Sequence, residues 1–472
     1  MTTKRKKKLF FVGIKGVGMA ALAVWAKEKG WEVSGSDTAE DFPTSELLKR
    51  NHIKVQIGFE KKNLPPDADI VVVTGAHGGK RNPQALEAMH LGIPTMMQGE
   101  ALAKFSQDKK VIAVAGTHGK TTTSALTAHL LSKAHKDPSY IVGCGDIPSL
   151  GSPAHAGKGE YFVVEADEYI NCPSTDKTPK FLFFKQYVSL ITNIEFDHPD
   201  VYKDLADVEK AFATFVKHTK DNGVVIGCVD NTSVTNLFKK LPHQQIIGYG
   251  EQEHADYLLQ NLSFSLGKTN FSIKHGKETL GPFVLTIPGK HNALNALGAA
   301  IAAHHAGLSW EEIHDNLSSF AGTKRRFEFV ASLNEVKFYD DYAHHPSEIV
   351  ATLRAAREWF PKSRIIAIFQ PHTFSRTKML FDDFTKAFKD ADVAVIADIY
   401  PSAREPVDAK FSSKILVEAM KLSHGCALYR PTKAGVVDYI AANLRAGDVI
   451  FTLGAGDIYT WTQDIIAAIK QR

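Results

Sequence analysis

Along the chain, short apolar runs alternate with stretches of helical period, and most of the runs open into a glycine-bearing turn. Residues 9–14, 31–35 and 70–74 make a first set, and 111–115, 161–164 and 188–192 a second. Residues 336–339, 364–369, 393–397 and 448–453 make a third. Runs of this length, rich in β-branched residues and bounded by turns, predict strands buried on both faces. Strands alternating with helices predict an α/β chain built on mostly parallel sheets. Three sets predict three domains, over residues 1–105, 106–322 and 323–472. The first boundary falls within 98–110, a polar, lysine-bearing stretch.

Length supports the division, since 472 residues exceed what one ordinary core holds. Apolar content of 44% and charged content of 23% are those of a soluble globular protein. The formal net charge of +4 gives no expectation of nucleic acid but suits a small anionic substrate. The basic run 4–8 leads into an apolar run too short for a signal segment, and no stretch is long enough to span a bilayer. Cys144, Cys172, Cys228 and Cys426 lie far apart without CxxC pairing, against a zinc site or a disulfide framework. A cytoplasmic protein without membrane insertion is expected, as a monomer or weak homo-oligomer.

The strongest chemistry follows the run 111–115. Gly116-Thr117-His118-Gly119-Lys120-Thr121-Thr122 stands between a buried strand and a helix with Ala125, Leu126 and Leu130 in phase. Glycines let backbone N–H groups approach phosphate oxygens, and a helix start adds partial positive charge. Lys120 is placed to reach the β- and γ-phosphates, with the Thr121 hydroxyl on Mg²⁺. The spacing is not the standard G-x-x-x-x-G-K-S/T, because Val114 stands where its first glycine would be. The loop reads as an ATP site and the second set as a P-loop-type domain.

Two further strands of that set end in acids, at Glu165-Ala166-Asp167-Glu168 and at Asn193-Ile194-Glu195-Phe196-Asp197-His198. Mg²⁺ takes carboxylates together with phosphate oxygens, so an acid from each loop suits a metal beside the γ-phosphate. Solvated turns, or a helix-capping His198, are the plainer alternatives. Asn292 and Asn295 share a helix face, where their amides match the donor and acceptor edge of adenine or, for Asn292, cap the helix.

The first set reads as a Rossmann-like domain. Gly16-x-Gly18-x-x-Ala21 follows the first strand, and the second strand ends at Asp37, placed to hold a ribose. These glycines equally allow close helix–strand packing. Residues 75–79 form a glycine-rich loop around His77, at the sheet edge where such folds bind ligands. NAD and a nucleotide-sugar both remain open here. The third set reads as another Rossmann-like domain. Its candidates are Arg326 as a clamp on the γ-phosphate, the run Asp340-Asp341-Tyr342-Ala343-His344-His345, and His372 with Arg376. A guanidinium holds a carboxylate through two parallel bonds, or Arg376 makes a surface ion pair.

AGTHGKTTT, EADE, TNIEFDH and GKHNALNALGAA, in this order, resemble the motifs of the Mur ligase family of peptidoglycan precursor synthesis. The resemblance covers nearly the whole chain. It implies a UDP-sugar on the N-terminal domain, ATP on the central one and the incoming amino acid on the C-terminal one. It also implies Lys120 and Thr121 at phosphate and Mg²⁺, Glu165 and His198 at metal, and Asn292 and Asn295 at adenine. Asp341 is expected at the nucleotide and Tyr342 at the substrate. RRFE, DDYAHHP, FQPHTFSRT and GAGD are similar to the members that join an L-amino acid, normally L-alanine, to UDP-N-acetylmuramate. A relative that recycles murein tripeptide shares DD-x-AHHP, and Ala343 stands where alanine-adding members usually have glycine. That relative lacks QPHTFSRT, which favours alanine. Residues 169–181 differ from the usual short continuation after EADE, FDHPD replaces ADHLD, and TGAHGGKRNP replaces a serine-rich segment.

The implied chemistry activates a carboxylate, whose oxide is a poor leaving group. Transfer of the γ-phosphoryl group gives an acyl phosphate, and the amine of L-alanine displaces phosphate. Lys120, Mg²⁺ and Arg326 stabilise the first step. His345 and His372 are both candidates for the base that keeps the amine neutral. An NAD-dependent oxidoreductase leaves the Gly-Lys-Thr loop unexplained, and an ATP-dependent switch has no use for the histidines of the third domain.

Overall fold

The computed structural model describes residues 5–241, 245–265, 267–400, 405, 407–408 and 410–471. Lys4 of the basic run lies outside them. The first sheet is parallel, in the order Lys54–Ile57, Glu32–Asp37, Lys8–Val12, Ile70–Val73, Thr95–Met97. Helix Val17–Glu28 is buried from Met19 to Ala26, because it packs on this sheet and also against the central one. Trp25 stacks on Phe105 at 5.9 Å and on Phe162 of the central sheet at 5.5 Å. Within the polar stretch 98–110, Gln98–Ser106 form a helix. Glu100 accepts from the Met97 N–H at 2.7 Å, while Ala101 and Leu102 turn inward. Its charges are the outer face of an amphipathic helix.

The central sheet has ten strands. Its parallel heart runs Gln245–Gly250, Val224–Cys228, Val188–Ile191, Lys110–Ala115, Tyr161–Glu165, Ser139–Ile141. The strand that opens into the phosphate loop therefore lies between the two strands that end in acids. Beyond Gln245–Gly250 the sheet continues through Tyr257–Ser265, paired parallel to it, and then through Lys268–His275 and Glu278–Leu285, each antiparallel to the strand before. This meander carries no chemical motif, and its alternation of buried and exposed residues shows one face turned to solvent. A separate hairpin, Ile170–Cys172 with Asp176–Pro179, follows the first acid cluster.

The last sheet runs Glu328–Leu333, Val336–Asp341, Val449–Leu453, Ile365–Phe369, Val393–Ile396, Ala427–Tyr429. All neighbours are parallel except the first pair. One hydrophobic core runs without a break from Leu9 to Leu237, across the first and central sheets. The two cores of the last sheet draw on no residue before Phe327.

Candidate functional site

The ends of the central strands, the start of helix Val17–Glu28 and the ends of the last sheet surround one cavity of about 1270 Å³. Lys120, Thr121, Glu165, His198, Arg326, Tyr342, His372 and Arg376 all line it.

The phosphate loop is held open by what packs beneath it. Gly116 has φ of 139°, and a Cβ there would lie 2.0 Å from Thr192 Oγ1. Gly119 has φ of 82°, and a Cβ would lie 2.5 Å from Asn295 Oδ1. Only glycine satisfies both limits. The Thr117 hydroxyl is used by the second acid loop, accepting from the Glu195 N–H at 2.8 Å. Asn193 Oδ1 accepts from the His118 N–H at 2.9 Å. Thr122 is buried in the first turn of helix Lys120–Lys133.

Lys120 curls back, donating to the Gly116 carbonyl at 2.6 Å and the Thr117 carbonyl at 3.0 Å. Its ammonium lies 2.9 Å from Glu168. Burial pulls the Lys120 pKa down, but Glu168 and Asp167 outweigh it and hold the charged form. Burial pushes the Glu168 carboxyl up to about 7, against the pull of that ammonium. The Thr121 hydroxyl donates to Glu165 at 3.1 Å, and Glu165 also accepts from the Gly143 N–H at 2.8 Å. Hydroxyl and carboxylate side by side are the hard oxygen donors that Mg²⁺ requires, so these two residues fit that ion. His198 stands with other acids, 3.7 Å from Asp197 and 3.8 Å from Glu168.

A charged network joins the loop to the C-terminal sheet. His118 lies 3.2 Å from Glu348 and 3.4 Å from Glu195, and Ser347 donates to Glu195 at 2.9 Å. Burial lowers the His118 pKa, yet the two carboxylates prevail and raise it to about 10. Against burial, the same contact holds Glu195 down at about 2. Glu348 also faces Arg326 at 3.6 Å and His344 at 3.2 Å. His118, Glu195 and His345 have ligand atoms within 4.8 Å of one another, the sole such cluster among the described residues. An imidazolium shared by two carboxylates accounts for this grouping.

Other expected residues take different places. His345 accepts from the Ser347 N–H as the cap of helix Pro346–Trp359 and packs 4.7 Å from His118. It is absent from the cavity wall, which holds His344 and His372 instead. Burial lowers the pKa of His344 to about 4, leaving it neutral. Asp341 accepts from the Phe327 and Ala343 N–H groups at 2.7 and 2.8 Å and lies off the wall. Burial raises its pKa to about 6. Asn292 donates to the Pro288 carbonyl at 2.7 Å and Asn295 to Asn292 at 3.3 Å. Neither caps the helix, whose N-cap is Gly289. Of the paired arginines, Arg325 is engaged by Asp340 at 2.9 Å and by the Gly454 carbonyl, and both flank the Tyr342 ring.

Arg376 is buried, and its Nε donates to Asp197 of the central domain at 3.0 Å. Its side chain therefore bridges two domains as well as facing the cavity. On the first sheet, Asp37 accepts from the Lys15 N–H at 2.7 Å and lies 3.7 Å from His77. None of Gly16, Gly18, Asp37 and His77 lines the cavity, whose wall takes Val17 from the same turn. Glu348 was not among the expected residues, and its signal is its place three residues after the capping His345. Nor was Arg50, a wall residue paired with Asp146 at 3.1 Å.

Three family models match the chain: the catalytic domain of the Mur ligase family over residues 8–110, the Mur ligase middle domain over 114–303, and the glutamate ligase domain of Mur ligases over 325–456. A UDP-N-acetylmuramate–L-alanine ligase of Acetivibrio thermocellus is 40% identical over 460 residues, covering 96% of this chain and 94% of the relative. Its counterpart in Desulfitobacterium hafniense is also 40% identical, covering 97% and 99%. Among solved structures, UDP-N-acetylmuramate-alanine ligase from Thermotoga maritima superposes with a TM-score of 0.80 at 26% identity, covering 98% of this chain and 99% of that one. A murein peptide ligase from Psychrobacter arcticus gives 0.73 at 25% identity, covering 99% of each.

Proposed function

The chain belongs to the Mur ligase family, and from that premise we propose that it is the ATP-dependent ligase that joins L-alanine to the carboxylate of UDP-N-acetylmuramate. The observation that carries this reading is the single cavity walled by a phosphate loop, two acid-bearing strand ends and the His372–Arg376 segment of the third domain. Peptidoglycan precursor synthesis is the process it serves, in the cytoplasm, where ATP is made available to it. Among the described residues no helix is long and apolar enough to cross a membrane. We take residues 1–105, 106–322 and 323–472 as the working units for the UDP-sugar, ATP and amino acid, acting in a monomer or weak homo-oligomer. The NAD-dependent alternative is set aside, because the Mur ligase match includes the Rossmann-like opening.

In this mechanism the loop from Gly116 to Thr122 cradles the triphosphate, and Lys120 exchanges its carbonyl and Glu168 contacts for phosphate oxygens. Asn292 and Asn295, together with Asp341, serve the nucleoside, in the last case by fixing the loop 341–343 beside it. Thr121 and Glu165 would hold Mg²⁺, with His198 beside them, and the ion would supply charge neutralisation on the phosphates. Lys120 and Arg326 offset charge on the transferring γ-phosphoryl group as the muramoyl carboxylate attacks phosphorus and ADP leaves. The acyl phosphate so formed is attacked by the amine of L-alanine. The C–N bond forms, the C–O bond to phosphate breaks, and the amine proton passes to a neutral base. His372 and His344 stand on the wall for that task, while His345 caps helix Pro346–Trp359 behind it. Gly16, Gly18, Asp37 and His77 hold the UDP-sugar, with Tyr342 at the substrate.

Incubation with ATP, UDP-N-acetylmuramate and a panel of L-amino acids tests the reading. L-Alanine-dependent release of ADP and phosphate is expected. Preference for a murein tripeptide over L-alanine in kcat/KM overturns the choice of acceptor, and indifference to UDP-N-acetylmuramate overturns the ligase itself.

A further inference from the structure

The glycine loop 75–79 and the stretch 169–181, far apart in the chain, are packed on each other. A Cβ on Gly75 would lie 2.3 Å from the Asn171 carbonyl oxygen, and one on Gly79 2.3 Å from Cys172 Sγ. The Ser174 hydroxyl donates to the Gly78 carbonyl at 3.4 Å, and Asn171 Oδ1 accepts from the Gly99 N–H at 3.2 Å. The hairpin Ile170–Cys172/Asp176–Pro179 belongs to the central domain, yet its seat is the first domain. The glycines of loop 75–79 thus make room for a hairpin, whatever else they do.

Lys180 follows the hairpin directly, and the hairpin's seating decides where that side chain goes. The Lys180 stem would lie 3.3 Å from a Cβ on Gly99, the neighbour of Gln98, whose amide in turn lies against Gly18. The ammonium pairs with Asp167 at 2.8 Å and sits 5.6 Å from the Tyr169 ring, on the cavity wall. Of the lysines on that wall, Lys120 belongs to the phosphate loop and Lys324 to the C-terminal side, where it pairs with Glu328. Lys180 alone of the three stands on the seam between the first domain and the acid loops. A UDP-sugar whose uridine rests on the first domain and whose carboxylate reaches Lys120 must carry its diphosphate across this seam.

Resting on the functional reading above, we propose that Lys180, seated by the hairpin on the glycine loop, is a substrate-binding residue for the diphosphate of the UDP-sugar. Asp167 orients the ammonium and leaves it donors for phosphate oxygens, since an ammonium carries three. The hairpin is then the element through which the first domain positions a central-domain cation on the shared substrate.

Equilibrium titration of the full chain with UDP-N-acetylmuramate, without ATP, tests this, followed by steady-state kinetics in each substrate. Lys180→Met should weaken binding about tenfold or more, the usual scale for a lost charge-assisted bond. Lys180→Arg, which restores the charge, should recover most of it. KM for ATP and for L-alanine should stay near the wild-type values, which a general loosening of the site would not allow. Unchanged binding by Lys180→Met, or a shift confined to KM for ATP, overturns the assignment while leaving the ligase reading intact. Wild-type protein that does not bind UDP-N-acetylmuramate overturns both. Because Lys180 is partly exposed, folding is not expected to obscure the result, and Lys180→Gln serves as a second variant.

Discussion

At the scale of single residues, the site is organised by buried charges that are paired before any ligand arrives. Lys120 rests on two carbonyls and Glu168, so its replacement removes a cation from the transferring phosphoryl group without opening a core. Lys120→Ala should lower kcat by about a hundredfold to a thousandfold, the range for losing one electrostatic contact at a transition state, with an unchanged circular-dichroism melt. Wild-type turnover in the folded variant would sink the ATP-site assignment. Arg376 has a double bond of duty, to Asp197 and to the cavity. If its remaining donors hold the α-carboxylate of L-alanine, Arg376→Lys raises KM for L-alanine by roughly ten- to a hundredfold, because an ammonium cannot reproduce the planar fork. Kinetics varying L-alanine and ATP separately check this. An equal rise in KM for ATP would mean that the arginine acts through Asp197 and the acid loop instead.

At the scale of elements, helix Pro346–Trp359 is the one that ties the third domain to the phosphate loop. Its capping box places His345 and Glu348 on one turn, and Glu348 meets His118 from the loop. The His118 pKa rises from 6.5 to about 10, so its contribution is fully present below 6.5 and is lost as pH rises through about 10. Glu195 is lowered from 4.5 to about 2, so its contribution is present above 4.5 and is lost as pH falls through about 2. The contact therefore persists across neutral pH. Glu348→Gln removes one of the two carboxylates that hold the imidazolium, and the alkaline limb of kcat/KM should move towards neutrality. A pH profile parallel to that of the wild type would show that this contact does not position the loop. The hairpin after the first acid cluster is the other linking element, and it joins the loop region to the first domain through side chains that meet backbone groups of that domain.

At the scale of the whole molecule, two sheets share a core and the third has its own. Trp25→Ala removes the ring that packs between Phe105 and Phe162, at a cost of about 3–5 kcal/mol for a buried aromatic. Hydrogen exchange should show the loss spread over the first and central sheets, with the amides of Val393–Ile396 in the third unaffected. Uniform loss across all three sheets would refute separate cores. The sequence by itself determined the buried parallel strands that carry the site, since a β-branched run bounded by glycine is a local signal, but not the strands of Gln245–Leu285 or the hairpin Ile170–Pro179. It placed Lys120, Thr121, Glu165 and His198 just beyond strand ends. It also carried the family motifs. It could not tell that Gln98–Ser106 is a helix, because an amphipathic helix with a small buried face looks polar when read in order. Nor could it show that Asp341 answers two backbone N–H groups, that His345 caps a helix, or that Glu348 meets His118, Arg326 and His344. Those facts depend on which residues distant in the chain meet, and pairing of buried charge is settled only when packing excludes water and leaves each group a single set of partners.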